Sequence, residues 1–369
     1  MEKVKVGVIG CGNISDIYFK NLSSFSSLEV VACADLNEKL AKDKANEHHL
    51  PESLSVNELL THPEIELILN LTPPKVHAEI SLLSLEHDKH VYSEKPLAVS
   101  KEEGQLIINL AKEKNLFVGS APDTFLGSGI QTCLDLVQKG EIGTPVAATA
   151  IMMNGGPEQW HPNPEFFYQE GAGPLFDMGP YYLTALIQLL GPIDSVFSSS
   201  TINFPERVIK TGEKQGKVIK VETPTHFSGN LEFESGAVAT MIMSFDVSVA
   251  NPPSLEIYGA EGTIRVPDPN HFGGPVLLKK KDEYKWREIE LQYPYTENSR
   301  GIGLLDMVSS LQHATPFRAN GELAYHVLET MVAFCESSEM GERRKLESSC
   351  KPAPLLAENS ILNQNKIGG

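Results

Sequence analysis

The chain has 369 residues, 41% of them hydrophobic and 21% charged, the balance of a globular protein long enough for two domains. A formal net charge of −17 argues against nucleic acid and anionic membranes as partners, although a helix N-terminus can still bind phosphate locally. Five widely spaced cysteines without a C-x-x-C pattern argue against a disulfide framework or zinc site. The N-terminus runs straight into a glycine motif rather than a signal peptide, so a reducing cytoplasm is expected.

Residues 1–124 alternate short apolar runs with amphipathic stretches. Strands are expected over 3–10, 28–35, 65–72, 90–94 and 115–121, with helices over 38–48, 76–86 and 100–114. Near-continuous Val, Ile and Leu strands suit a parallel sheet covered on both faces, and the alternation predicts a doubly wound α/β domain. The texture changes across 125–369, which is expected to form a second, α+β domain. A helix over 128–139 leads to a strand at 146–153. Another helix is expected over 177–190, because Pro180 suits only a first helical turn. Hairpins turn at Glu234-Ser235-Gly236 and at Glu261-Gly262, which gives an open, mainly antiparallel sheet. Residues 302–340 read as helical and the tail from 352 as loop.

The first strand ends in "VGVIGCGNIS". Gly10 permits the tight turn and Gly12 lets the backbone approach a diphosphate; Ser15 stands where a third glycine usually does. Asn13 and Ile14 complete the expected cofactor loop. Asp35 ends the second strand, 20 residues after Ser15, where a carboxylate accepts hydrogen bonds from the adenosine ribose. A 2′-phosphate would be repelled there, and no arginine follows, so NAD is favoured over NADP. Cys11 is read as a small loop residue.

"TPPKVH" closes the third long strand: Thr72, Pro73 and Pro74 form a stiff loop on the edge where open α/β sheets bind ligands. His77 either contacts the cofactor or caps and packs. "SEKPLAVS" ends the next strand on the same edge, and Pro96 stops the ladder, so Glu94 and Lys95 border the nicotinamide end. A lysine there polarises a substrate oxygen, and a cationic ring beside it lowers its pKa toward the range of proton transfer. Asp123 follows the last strand and is a candidate to line the cleft. In the second domain, Asp177 and Tyr181 lie four apart on one helix face, with Gly179 between them leaving room for a ligand. Trp160, His161 and Tyr168 are candidates for an aromatic wall against a substrate ring. His48-His49 sit at a helix end, and His87, His90 and His226 lack partners at ligand spacing, so no metal is expected.

These segments, with "GAGPLFDMGPYYLTALIQLLGP" over 171–192, make residues 3–340 resemble the Gfo/Idh/MocA family of NAD(P)-dependent oxidoreductases. The resemblance implies a Rossmann domain followed by a sheet domain, and a homodimer or homotetramer formed through that sheet. It implies a secondary alcohol or carbonyl of a sugar, sugar acid or cyclitol as substrate. It also implies an Asp-x-Gly-x-His pattern, which here reads Asp177-Met178-Gly179-Pro180-Tyr181. Tyrosine in place of the histidine, as in some branches of that family, needs help to act as a base near neutrality; the Lys95 ammonium would supply it. Lys95, Asp177 and Tyr181 are therefore the expected catalytic residues. Two other readings remain: an NAD-retaining glycoside hydrolase of the same family, and a non-catalytic dinucleotide-binding protein.

Overall fold

The computed structural model describes residues 2–250, 252 and 254–356, and the chain forms two compact units. The first unit gathers residues 1–131 and 292–328 with the described end of the chain from Ala353; the second gathers 132–291 and 329–352. This differs from a single division at residue 124. Segment 292–328 returns to the first unit because the backbone of Ala319 and Asn320 bonds to Gly119 and Ser120, and Asp123 holds the amides of Gly301 and Gly303.

In the first unit, β1 (Val4–Ile9), α1 (Ser15–Leu22), β2 (Leu28–Ala34), α2 (Glu38–Glu47), β3 (Glu52–Leu54), α3 (Val56–Thr61), β4 (Leu67–Asn70), α4 (His77–Glu86), β5 (His90–Ser93), α5 (Lys101–Lys114) and β6 (Val118–Ser120) follow in turn. The six strands are all parallel, in the order β3-β2-β1-β4-β5-β6. Four of them end in buried Ile9, Ala34, Asn70 and Ser93, so the loops after β1, β2, β4 and β5 share one edge. Local signals place the helices: Asn37 caps α2, Ser55 and Glu58 make a capping box on α3, and Ser100 caps α5. The chain then enters α6 (Ser128–Gln138).

The second unit is built on β7 (Pro145–Met153), α7 (Gly173–Leu190), β8 (Ile193–Thr201), β9 (Glu206–Val208), β10 (Val218–Lys220), β11 (His226–Phe233), β12 (Val238–Ser244), β13 (Leu255–Gly259), β14 (Gly262–Val266), β15 (Val276–Lys280) and β16 (Arg287–Ile289). After α8 (Ile302–His313) and α9 (Gly321–Met340), β17 (Arg344–Lys345) completes a nine-stranded sheet, β16-β15-β14-β13-β7-β12-β11-β8-β17. All its pairs are antiparallel except β7 with β12. Alternate residues of β7 and β12 are buried, so one face is covered and the other open.

α7 begins at Gly173, earlier than the expected start near residue 177. Gly173-Pro174 supplies the first turn, where the missing proline N–H is harmless, and Pro180 lies inside the helix. The tail beyond 356 lies outside the described residues. Among the described residues no helix is long and apolar enough to cross a membrane.

Candidate functional site

The loop after β1 has the shape that a dinucleotide requires. Gly10 has φ +102°, and a Cβ there would lie 2.6 Å from the carbonyl carbon of Leu71, so only glycine fits. Gly12 differs: a Cβ would meet no protein atom within 4 Å, leaving its backbone open on the ligand edge. Ser15 is buried and its Oγ donates to the Gly12 carbonyl at 2.7 Å, closing the loop onto the start of α1. Asn13 and Ile14 are exposed beside it. Asp35 accepts the Cys11 amide at 2.9 Å through Oδ2 and the Asn37 amide at 2.8 Å through Oδ1. Two single bonds leave lone pairs on both oxygens for ribose hydroxyls. The neighbouring Leu36 is 97% exposed and offers no cation to a 2′-phosphate. An open glycine, a helix start and a carboxylate at the end of β2 fit NAD.

The loop after β4 is stiffened from within. Asn70, buried at the strand end, accepts the Thr72 amide and hydroxyl at 3.2 and 2.6 Å and donates to the His77 carbonyl at 3.0 Å. Pro73 and Pro74 remain exposed. His77, expected either to contact the cofactor or to cap and pack, is buried. Its Nε2 lies 2.7 Å from the Thr72 carbonyl and its Nδ1 2.6 Å from the Pro96 carbonyl. Glu94 likewise faces inward: Oε1 accepts the Tyr18 hydroxyl at 2.7 Å and Oε2 the Lys95 amide at 2.9 Å. Each side chain meets protein partners that the sequence does not reveal. Lys95 is half-buried between them, next to a cis Lys95-Pro96 bond.

Asp123, a candidate cleft residue, is also buried; Oδ2 accepts the amides of Gly301 and Gly303 at 2.8 and 3.0 Å. It caps α8 through space, and burial raises its pKa to about 6.

In the second unit, Asp177 and Tyr181 are one turn apart on α7, Asp177 half-buried and Tyr181 buried. The Cβ direction of Gly179 points at Leu175 and Met331, 3.2 and 3.3 Å away, so this glycine serves helix packing rather than a ligand. Trp160 is 65% exposed and meets His161 edge-on; His161 also packs against Phe166 and Phe167. Tyr168, expected in the aromatic wall, is fully buried and donates to Glu158. Glu158 in turn binds Arg207 at 3.0 Å, and Arg207 also pairs with Asp246. This buried chain anchors the segment that carries Trp160 and His161. Arg207, Glu158, Tyr18 and Asn70 were not singled out in the sequence. A polar residue closing the apolar run "LILN" was the signal for Asn70.

Asp16, Glu47 and His48 bring three possible metal ligands within 4.8 Å of one another, but the Lys44 ammonium already binds both carboxylates. Among the described residues no disulfide joins any of the five cysteines.

The family model described as the oxidoreductase family with an NAD-binding Rossmann fold matches residues 4–121, and that of the GFO/IDH/MocA C-terminal domain matches 130–265. The dTDP-3,4-didehydro-2,6-dideoxy-alpha-D-glucose 3-reductase of Saccharopolyspora spinosa is 32% identical over 54% of this chain and 60% of its own length. The 1,5-anhydro-D-fructose reductase of Ensifer adhaerens is 24% identical over 93% of this chain and 98% of its own. Among solved structures, levoglucosan dehydrogenase in complex with NADH and L-sorbose shares the fold with a TM-score of 0.83, at 20% identity over 94% of this chain and all of its own. With both halves matched in order, and a glycine loop and Asp35 built for the dinucleotide, the chain belongs to the Gfo/Idh/MocA oxidoreductase family and its first unit is an NAD-binding Rossmann domain.

Proposed function

We propose that the chain is an NAD-dependent oxidoreductase of a secondary alcohol or carbonyl on a sugar, sugar acid or cyclitol. The observation that carries this reading is the fixing of Lys95 on the edge that also holds the open Gly12 and Asp35. When bound there, NAD supplies the hydride acceptor. Gly10, Gly12, Asn13 and Ile14 hold its diphosphate, Asp35 its ribose, and Thr72, Pro73 and Pro74 border its nicotinamide end. Lys95 holds the substrate oxygen by charge, and Tyr181 is the candidate base for the hydroxyl proton. Asp177 accepts a hydrogen bond from a neighbouring hydroxyl and orients the ring. Trp160 and His161 give that ring a flat wall. Positioning and fixed charge provide most of the rate.

The open face of the nine-stranded sheet carries Phe197 and Val238, 46% and 45% exposed, with half-buried Ile151 and Ile242. A second copy of the chain covers it, giving a homodimer or homotetramer. Cysteines that form no disulfide accord with a reducing cytoplasm. The test is a panel of aldoses, uronates and inositols offered with NAD and NADP and followed by reduced-nicotinamide absorbance. Turnover with NAD on one class supports the reading; dye release from p-nitrophenyl glycosides without net NADH replaces it with a hydrolase.

A further inference from the structure

His77 has two ring nitrogens, and each faces a main-chain carbonyl: Thr72 at 2.7 Å and Pro96 at 2.6 Å. Carbonyl oxygens only accept. A neutral imidazole has one N–H, so it satisfies one of them, and an imidazolium satisfies both. The ring is buried, 1% exposed. The two carbonyls belong to different loops. Thr72 starts the turn after β4, and Pro96 follows Lys95 after β5. On the other side of Lys95, the Glu94 carboxylate grips the lysine's own amide at 2.9 Å and is itself held by Tyr18 at 2.7 Å. The main chain of Lys95 is thus pinned before and after its side chain, and turning it would break one of these hydrogen bonds.

We propose that His77 and Glu94 are positioning residues for Lys95, with His77 locking the Thr72 loop to the Lys95 loop and completing that lock only as an imidazolium. The proposal rests on reading Lys95 as catalytic. Glu94 and Lys95 are the charged groups the ring feels, the first favouring its positive form and the second opposing it; burial pushes its pKa below the ordinary value. Below the ring's midpoint both loops are held, and above it one. A packing histidine with no effect on Lys95 would change stability and leave turnover per folded molecule alone.

The experiment uses the full chain, with NAD titrated separately. In His77→Ala, kcat falls at least about tenfold while the NAD dissociation constant stays within about threefold. His77→Gln, which keeps one donor, restores most of the rate above the ring's midpoint and falls short below it. In a Lys95→Ala background, His77→Ala removes less than about threefold more. Nitrogen NMR of labelled histidine, assigned by the signal missing from His77→Gln, shows both ring nitrogens protonated at the acid end and one at the alkaline end. Folded His77→Ala with kcat within about threefold of the unaltered chain overturns the proposal. So does an equal loss in both Lys95 backgrounds, or a ring whose protonation never changes. If neither variant folds, the ring titration in the unaltered chain still decides. If Lys95→Ala alone turns over normally, the reading of Lys95 fails instead.

Discussion

Gly10 and Gly12 stand two residues apart in the same loop, and the structure assigns them opposite penalties. At Gly10 an alanine must adopt φ +102° and place its methyl 2.6 Å from the Leu71 carbonyl carbon. The left-handed conformation costs about 1–2 kcal/mol and the overpacking about 1–3, so Gly10→Ala loses roughly 2–5 kcal/mol of stability. At Gly12 the methyl meets no protein atom within 4 Å, and φ lies outside the left-handed region. Gly12→Ala therefore changes stability by less than about 1 kcal/mol, with a small gain from the stiffer unfolded chain. The open space at Gly12 is where the diphosphate approaches, so the same methyl raises the NAD dissociation constant at least about tenfold, ~1.4 kcal/mol. Urea unfolding with and without NAD reads both effects. At a concentration 100 times its dissociation constant, NAD adds about 2.7 kcal/mol to the unaltered protein; at that same concentration it adds only about 1.4 to Gly12→Ala. Gly12→Ala that gains as much from NAD as the unaltered chain does would refute the assignment of this loop to the diphosphate. Loss of stability without NAD would show that the space is not open.

Asp123→Asn keeps an oxygen for the Gly301 and Gly303 amides and removes a charge whose pKa is raised to about 6. A raised folded-state pKa stabilises below the unfolded value and loses that contribution as pH rises through 6. The stability of Asp123→Asn relative to the parent therefore climbs by about 2.4 kcal/mol between pH 4 and 8, read from urea unfolding, and a flat difference would contradict it. Arg207→Met leaves Glu158 and Asp246, 3% and 4% exposed, without their cation, and lowers stability by about 3–5 kcal/mol in the same assay. Asp35→Asn keeps an acceptor for the Cys11 amide but removes the repulsion of a 2′-phosphate; the preference for NAD over NADP in kcat/KM narrows at least about tenfold.

What was legible in the sequence is what local chain chemistry decides. Apolar runs located five of the six parallel strands. The sixth, Glu52–Leu54, is short, with two of its three residues exposed, and pairs with β2 through its backbone, so it leaves no hydrophobic pattern. Pro180 pointed to a late start for α7 because a helix interior disfavours proline; Gly173-Pro174, a better first turn, sits seven residues earlier, and the buried packing of α7 tolerates the interior proline. Gly10, Gly12 and Asp35 were legible because their roles lie within one βαβ unit. Glu94 and Asp123 are expected at ligands because they follow strands, Tyr168 as part of an aromatic wall, and His77 either at the cofactor or as a packing residue. Each has a protein partner in the structure: Glu94 meets Tyr18 from 76 residues away, and Asp123 meets Gly301 from 178. No local spacing encodes such pairings, and burial without a partner would have been costly.

The most direct measurement is steady-state turnover of Lys95→Ala beside the unaltered chain on one reactive sugar or cyclitol, with NAD affinity titrated in parallel. The account predicts that kcat falls by about 10²-fold or more while NAD binds within a fewfold of its original affinity. Equal turnover in the two proteins would contradict it.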